Sequence, residues 1–370
     1  MQITKSTLEV GESPPFKAGF FNPRRISVII PARNEEENIA PCVESLRKST
    51  GCEIEVIVVD DESRDRTAEI VRAIQEKDSR VRLVRVDGLE PGWVGKSHAL
   101  CRGIREARGE WLLFTDADTR HRPRALADCL TLAGEKKADL VSLSPGQVCG
   151  SFWERLLQPA VFSFIESRYP FHQVNGDGAS CAAANGQYFL IRRSVLEDIG
   201  GIEAVRSEIV EDLALARLVK EKGFRIHFAP GEGRVDARMY RSFRALWQGW
   251  SKNLFALSGG QMARLVRLTV VRTLLDIAPA MAALAGLAGL FLASSVTAVG
   301  VLGTSAAFFG ARSFFLGDVW ARPCAGRGYA LLHPLASAML LALLWYSAYL
   351  NRWVGEVRWR GRSYSSRMSG

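Results

Sequence analysis

Glu110-Trp111-Leu112-Leu113-Phe114-Thr115-Asp116-Ala117-Asp118-Thr119 is an apolar, β-forming run that ends abruptly in two carboxylates one residue apart. A strand covered on both faces reads as a continuous apolar stretch, and a parallel sheet binds ligands beyond the carboxyl ends of its strands. Trp111 to Phe114 therefore predicts a central strand that delivers Asp116 and Asp118 to a binding edge. Ala117 is small, so both carboxylates can converge on a hard divalent cation, Mg²⁺ or Mn²⁺, which usually completes its shell with phosphate oxygens. The alternative is an Asp-rich turn, which Asp favours for local hydrogen-bonding reasons.

Upstream of that run, Ile26–Pro31, Ile54–Asp60 and Val81–Val86 are short runs rich in Ile and Val, while Glu35–Lys48, Asp65–Lys77 and Ser97–Ala107 carry helical spacing. The alternation predicts a mainly parallel sheet with right-handed crossovers, and Asp139–Ser144 adds a fifth strand. Two further strand ends are acidic: Pro31-Ala32-Arg33-Asn34-Glu35 and Asp60-Asp61-Glu62-Ser63-Arg64-Asp65-Arg66-Thr67. Such a concentration of like charge calls for a cation or a donor-rich ligand. Asp61 is suited to accept a hydrogen bond from a base N–H; Asp65 reads either as part of this set or as a helix N-cap. The loop Pro91-Gly92-Trp93-Val94-Gly95-Lys96 precedes a helix, so Lys96 either meets a phosphate near that helix N-terminus or is a solvated lysine on a surface turn.

Downstream, Glu211 and Asp212 open a helix expected over Ile209–Lys220. They are either helix-start acids facing the macrodipole, or Asp212 is a general base. Between Gly146 and Phe171, Phe152, Trp153, Leu156, Leu157, Ala160, Val161, Phe164 and Ile165 follow helical spacing, as a helix packed on the sheet or as a wall beside a greasy acceptor. From Tyr240 to Leu265, Phe243, Leu246, Trp247, Trp250, Leu254 and Leu257 recur at intervals of three or four between Arg241, Arg244 and Lys252. That pattern fits a helix lying in a membrane interface.

The composition divides the chain. Of 370 residues, 48% are hydrophobic, enough for one large domain with a segment left over. Charged residues crowd the part before about Arg272; Ala, Leu, Gly and Phe dominate the next stretch. The formal charge of +9 suits an anionic partner. The basic residues bracket apolar segments instead of forming a Lys-rich tract, which favours a membrane surface or a phosphorylated substrate over nucleic acid. The seven cysteines have no Cys-x-x-Cys spacing and read as reduced and structural. Met1 to Arg25 hold no long apolar run, so neither a signal peptide nor an N-terminal span is expected, and the soluble module is expected in the cytoplasm.

Val28-Ile29-Ile30-Pro31-Ala32-Arg33-Asn34-Glu35, Val58-Val59-Asp60-Asp61-Glu62-Ser63-x-Asp65-x-Thr67, Thr115-Asp116-Ala117-Asp118 and Val210-Glu211-Asp212 together resemble the ordered motifs of family 2 glycosyltransferases with the GT-A fold. Gly92-Trp93-x-Gly95-Lys96 and Trp359-Arg360-Gly361-Arg362-x-Tyr364 are most similar to the hopene-associated and carotenoid-type membrane members. The resemblance implies a Rossmann-like α/β catalytic domain and an inverting transfer from a nucleotide-diphosphate sugar, a UDP-sugar, to a lipid. It implies that Asp61 takes the base, Ala32 and Glu35 line the base and ribose pocket, Asp116 holds the ribose side and joins Asp118 at the metal, and Lys96 faces the nucleotide. Asp212 would be the base, and Asn185-Gly186-Gln187-Tyr188-Phe189-Leu190-Ile191 the strand under the acceptor. Processive relatives carry Gln-x-x-Arg-Trp where this chain has Gln248-Gly249-Trp250-Ser251-Lys252. The departure argues against a polysaccharide synthase and leaves Gln248 and Trp250 as site candidates. A silent sugar-nucleotide-binding subunit is the other alternative, against which the set Asp61, Asp116, Asp118 and Asp212 stands.

Leu274–Ser294, Val296–Ala311 and Tyr329–Leu350 are apolar enough to enter a bilayer. Arg264, Arg267 and Arg272 before the first put the catalytic module on the cytoplasmic side by charge bias. Three full spans would carry the basic tail, Arg352 to Arg367, outside, so one of the first two segments is expected to be re-entrant or interfacial. Asp276 either pairs with a basic neighbour or approaches the acceptor head group. The expected organisation of this multi-pass cell-membrane protein is an N-terminal extension (1–25), a GT-A domain (26–239), amphipathic interfacial helices (240–272), transmembrane helices (273–351) and a basic tail (352–370).

Overall fold

The computed structural model describes residues 25–176, 181–293, 296–321, 325–359 and 361–365. The expectations for the N-terminal extension and the end of the basic tail fall on residues 1–24 and 366–370, outside the described ones. Strands and helices alternate from the start: β1 (Arg25–Ala32), α1 (Ile39–Arg47), β2 (Glu53–Asp61), α2 (Thr67–Gln75), β3 (Val81–Val86), α3 (Gly95–Glu106) and β4 (Trp111–Phe114). Then come β5 (Thr119–His121), α4 (Ala125–Lys136), β6 (Leu140–Ser144), β7 (Gly146–Gln147), α5 (Phe152–Arg168), α6 (Phe171–Val174) and β8 (Phe189–Arg192). The module closes with α7 (Arg193–Asp198), α8 (Glu211–Glu221), β9 (Ile226–Pro230) and β10 (Val235–Ala237).

The main sheet runs β3-β2-β1-β4-β8-β6-β9. Its pairings are parallel except that β8 is antiparallel to both β4 and β6. The expected parallel core is present, and β6 is the added strand, but β8 separates it from β4. Nothing in a short apolar run such as Phe189-Leu190-Ile191 encodes strand direction. Ile26, Val28, Ile29, Ile30 and Trp111 to Leu113 are fully buried, which explains why β1 and β4 are apolar without alternation. Successive residues serve opposite faces: Val28 and Ile30 pack with α1 and α4 residues, Ile29 with α3 residues. A Cβ on Gly103 would come within 2.5 Å of Ile29 Cγ2 and 2.9 Å of Val59 Cγ2, so α3 lies against the sheet through bare backbone.

Helix α5 begins with a capping box, in which Ser151 Oγ accepts from Glu154 N–H and the Glu154 carboxylate accepts from Ser151 N–H. The amphipathic pattern across Tyr240–Leu265 is divided between two helices, α9 (Phe243–Leu257) and α10 (Met262–Arg272). Gly259 and Gly260 between them have φ of +92° and +67°, left-handed backbone that stops a helix. Helix α10 then runs through a π-helical turn, Thr273–Ile277, into α11 (Ala278–Ala293), so the boundary drawn at 272/273 falls inside continuous helix. Asp276 in that turn is fully buried and accepts from Arg272 (3.1 Å), Arg312 (2.8 Å) and Ser337 (2.7 Å), which resolves its partner in favour of basic neighbours.

Two further helices, α12 (Val296–Ala321) and α13 (His333–Tyr349), lead to a hairpin of β11 (Glu356–Trp359) and β12 (Arg362–Ser365). Among the described residues three helical stretches are long and apolar enough to cross a membrane: Met262–Leu292, Val296–Ala321 and Arg327–Val354. They differ in cover. The first two leave most of their apolar surface bare, whereas the third buries Leu340, Leu343 and Leu344 against Leu156 and Leu157 of α5 and Leu246 and Leu254 of α9. Among the described residues five cysteines are free, as expected, but Cys149 is disulfide-bonded, which corrects the reading of a fully reduced set; a rule about local spacing does not see such a pairing.

Candidate active site

Beyond the carboxyl ends of β1, β2 and β4 lies a crevice of about 270 Å³. Ala32, Glu35, Asp61, Lys96, Asp116, Asp118, Asp212 and Trp250 all line it; Gln248 does not. Gly249 lines the wall instead, with its Cα so close to the Tyr240 ring that a Cβ would overlap it. Trp250 contributes an apolar face, since its indole N–H already donates to Gln158 Oε1 at 2.8 Å and its ring meets Phe162 and Tyr240 edge-on.

The first two strand ends are stitched together. Asn34 N–H donates to Ser63 Oγ, Arg64 N–H to Asn34 Oδ1, Glu35 N–H to Thr67 Oγ1 and Glu36 N–H to Asp65 Oδ2. Asn34 and Glu62 adopt left-handed backbone, with φ of 54° and 55°. Asp65 thus fastens the β1 and β2 loops to each other, and it also accepts from Thr67 N–H at the start of α2. Asp61 points into the crevice; it is 5% exposed, and its Oδ1 is buried with no hydrogen-bond partner among the described residues.

The Asp116–Asp118 turn is braced from below. Thr119 Oγ1 donates to Asp116 O (2.8 Å), and Thr115 Oγ1 donates to Gln187 O (2.7 Å). His121 Nε2 lies 3.2 Å and 3.1 Å from the two threonine hydroxyls. Burial, helped by the Arg120 charge, pushes the His121 imidazole down to about 3, so it stays a neutral strut. Arg238 N–H donates to Asp118 O, and Gln187 Nε2 to Asp118 Oδ1 at 3.3 Å.

At the centre Lys96 Nζ contacts Asp116 Oδ1 and Glu211 Oε1, each at 2.9 Å. Burial alone would lower the Lys96 ammonium, but Asp116, Glu211 and Asp212 outweigh it and hold it well above the usual lysine range. Asp212 accepts from Gly186 N–H (2.6 Å) and from Leu213 N–H (2.7 Å). Burial and the Glu211 charge raise its carboxyl to about 6, against the opposing pull of Lys96 and the two N–H donors. A Cβ on Gly186 would come 2.9 Å from Lys96 Nζ and 3.0 Å from Asp212 Oδ2, so this cluster closes only over glycine.

Asp116 and Asp118 suit a hard divalent cation that takes its other ligands from phosphate. They are two carboxylates on one turn, and the described residues contain no cluster of three His, Cys, Asp or Glu able to enclose an ion by themselves. Away from the acids the crevice turns apolar, lined by Phe162 and Ile165 of α5, Tyr169, Phe228, and Leu257 of α9. Glu211 as the anchor of Lys96 and the bracing Thr115, Thr119 and His121 were not singled out as site residues from sequence; Gly186 and Gln187 were expected in the strand under the acceptor, but β8 begins only at Phe189 and they lie in the turn before it. The alternation Thr115…Thr119…His121 beside the acids is the one signal that was available. Arg362, in the Trp359 to Tyr364 stretch that the resemblance puts near the active site without giving this residue a role, donates to Asp61 Oδ2 from β12 across 301 positions of sequence.

Residues 27–200 match the family model "Glycosyl transferase family 2". Among curated proteins, a 4,4'-diaponeurosporenoate glycosyltransferase of Staphylococcus aureus (strain USA300) is 27% identical over 355 residues, covering 93% of this chain and 89% of the relative. Among solved structures, the mannosyltransferase PcManGT from Pyrobaculum calidifontis, in complex with GDP-Man and Mn²⁺, is similar with a TM-score of 0.54 and 20% identity, over 90% of this chain and 88% of that one. With its ordered motifs converging on one crevice at the strand ends of a mainly parallel sheet, residues 27–200 form a family 2 glycosyltransferase domain on a GT-A fold.

Proposed function

We propose that the enzyme transfers a sugar from a UDP-sugar to a lipid acceptor at the cytoplasmic face of the cell membrane, with inversion at the anomeric carbon. The observation that carries this reading is the polarity of the crevice. Its acidic end gathers Asp61, Asp116, Asp118 and Lys96; its apolar end is made by α5 and α9, the helices on which apolar α13 packs. A water-soluble donor and a greasy acceptor can enter from opposite sides. The curated relative bears the name of a diaponeurosporenoate glycosyltransferase, which supports an apolar acceptor.

In this mechanism Asp61 accepts an N–H of the base, Ala32 and Glu35 flank the base and ribose, and Asp116 faces the ribose side. Asp118, with Asp116, would hold Mg²⁺ or Mn²⁺, which when bound neutralises charge on the departing diphosphate; the Mn²⁺ of the mannosyltransferase supports this. Lys96 adds fixed positive charge beside that leaving group. The acceptor oxygen attacks the anomeric carbon as the bond to the diphosphate breaks, and Asp212 takes the acceptor proton when the acceptor is a hydroxyl. A phosphate or carboxylate acceptor would need no base. Gln248, outside the lining, has no part in this scheme, whereas Trp250 shapes the acceptor end.

The contact between Arg362 and Asp61 returns the chain to the catalytic module after its apolar helices. The path between them must then cross the bilayer an even number of times. We assign the crossing to the hairpin of α10–α11 and α12, and an interfacial position along the module to α13, the most covered of the three. This moves the non-spanning segment from the first two to the third.

Purified full-length protein in detergent, given a panel of radiolabelled sugar nucleotides and a total lipid extract, should make label organic-soluble from a UDP-sugar. Asp118→Ala should lose that transfer together with its sensitivity to chelator. A long water-soluble polymer, or donor binding with neither transfer nor hydrolysis, would overturn the assignment.

A further inference from the structure

The proposed nucleobase pocket contains a residue that the strand-end motifs around it do not supply and that comes instead from the C-terminal Trp359-Arg360-Gly361-Arg362 stretch. Arg362 stands on β12, at the end of the chain, with its side chain 11% exposed. Its Nη1 donates to Asp61 Oδ2 and its Nη2 to the neighbouring Glu62 carboxylate. Glu62 is also 3.5 Å from Arg33 Nη1, and Arg33 donates to Asp61 O at 2.6 Å, so the pair of acids is gripped from two sides. The guanidinium leaves Asp61, which lines the crevice, asymmetric: one oxygen is engaged, and the other, Oδ1, is buried and has no hydrogen-bond partner among the described residues.

We propose that Arg362 is a positioning residue for the donor base, reserving Asp61 Oδ2 so that Asp61 presents a single acceptor and thereby favours a uracil-type base over guanine. This rests on the assignment of Asp61 to the nucleobase. A carboxylate with both oxygens open offers two parallel acceptors, which match the adjacent ring N–H and amino N–H of guanine. With Oδ2 taken, only one N–H is satisfied, and a guanine amino group would meet the Arg362 guanidinium donor to donor. Uracil carries one imide N–H between two carbonyls, so it fits a lone acceptor and brings no second donor. Leaving a buried donor unpaired is what makes such discrimination effective. The same contact means that the nucleotide site is complete only when the β11–β12 hairpin, which follows the apolar helices, has folded back onto the module.

The test uses the full-length protein in detergent with MgCl₂ and calorimetric titration of UDP and GDP. Wild type should prefer UDP. Arg362→Gln should weaken UDP by about tenfold or more, the value of one charge-assisted hydrogen bond, and bring the UDP and GDP affinities together. In turnover it should raise donor KM more than it lowers kcat. Arg362→Lys keeps the charge but does not span both acids, and should fall between; it carries the comparison should the glutamine variant fail to fold. If Arg362→Gln keeps both UDP affinity and preference while Asp61→Asn loses them, Arg362 has no positioning role and the base pocket stands. If Arg362→Gln weakens UDP and GDP equally, the contact is merely structural and the proposal is overturned. If Asp61→Asn itself binds UDP as wild type does, the base-pocket reading falls first.

Discussion

Asp212 sits where a carboxylate is pulled in two directions. Burial and Glu211 disfavour its charge; Lys96 and the N–H groups of Gly186 and Leu213 favour it, and the balance lies at about 6. A general base works only when deprotonated, so kcat on a hydroxyl acceptor should fall as pH drops through about 6, by about tenfold per unit below it. A pH–rate profile with no acid limb, or one near the ordinary aspartate value, would remove Asp212 from that role. Asp212→Asn should lower transfer by about a hundredfold or more while donor titrations stay close to wild type, because the amide keeps the shape and loses the basicity. Lys96→Gln tests the electrostatics separately. Removing the ammonium takes away the cation that stabilises the Asp212 carboxylate, so the acid limb should move to higher pH as kcat falls; a limb that stays in place would mean the two groups are not coupled.

At the scale of elements, Gly249 is where helix α9 meets Tyr240. The Cβ of an alanine would lie 2.3 Å from the ring, and such overpacking costs about 1–3 kcal/mol. Gly249→Ala should therefore lower the midpoint of thermal unfolding, and adding Tyr240→Ala should recover part of the loss; additive effects would mean that the contact is not what excludes a side chain. The same region marks how far sequence reading reaches. β1, β2 and β4 were legible because strands buried on both faces carry near-continuous apolar runs, Val28 to Ile30, Val56 to Val59 and Trp111 to Phe114, and Asp61, Asp116 and Asp118 because polarity begins abruptly where those runs end. The direction of β8 was not, since pairing sense is a property of the sheet and not of Phe189-Leu190-Ile191. The Gly259-Gly260 break between α9 and α10 lay inside an amphipathic pattern that runs straight across it, so periodicity masked it. Lys96 was legible as a basic residue at a helix start, but its partner Glu211 comes from a helix 115 positions later, and only the closing of the fold over Gly186 joins them.

For the whole molecule, the fold-back of β12 onto Asp61 constrains topology more tightly than hydropathy does. Charge bias and three apolar stretches leave the side of the tail undetermined. On the proposed membrane placement, a chain that leaves the module at α9 and touches it again at Arg362 makes an even number of crossings. Helices α11 and α12 pack together as a hairpin, with Gly286 against the Leu302 backbone, and their outer faces carry Phe291, Phe314 and Phe315 largely exposed. Lipid is the solvent that suits such faces. Helix α13 instead contributes to the core shared with α5 and α9, and Ser347 accepts from Phe255 N–H. In a background whose free cysteines are replaced, Val296→Cys, at the start of α12, should react with a membrane-impermeant maleimide only from the face opposite the catalytic module. Trp353→Cys, just after α13, should react only from the module's own face, in vesicles of either orientation. Labelling of both from the module's face would make the hairpin re-entrant. Labelling of Trp353→Cys from the opposite face would mean three crossings, and with them a tail that never reaches Asp61.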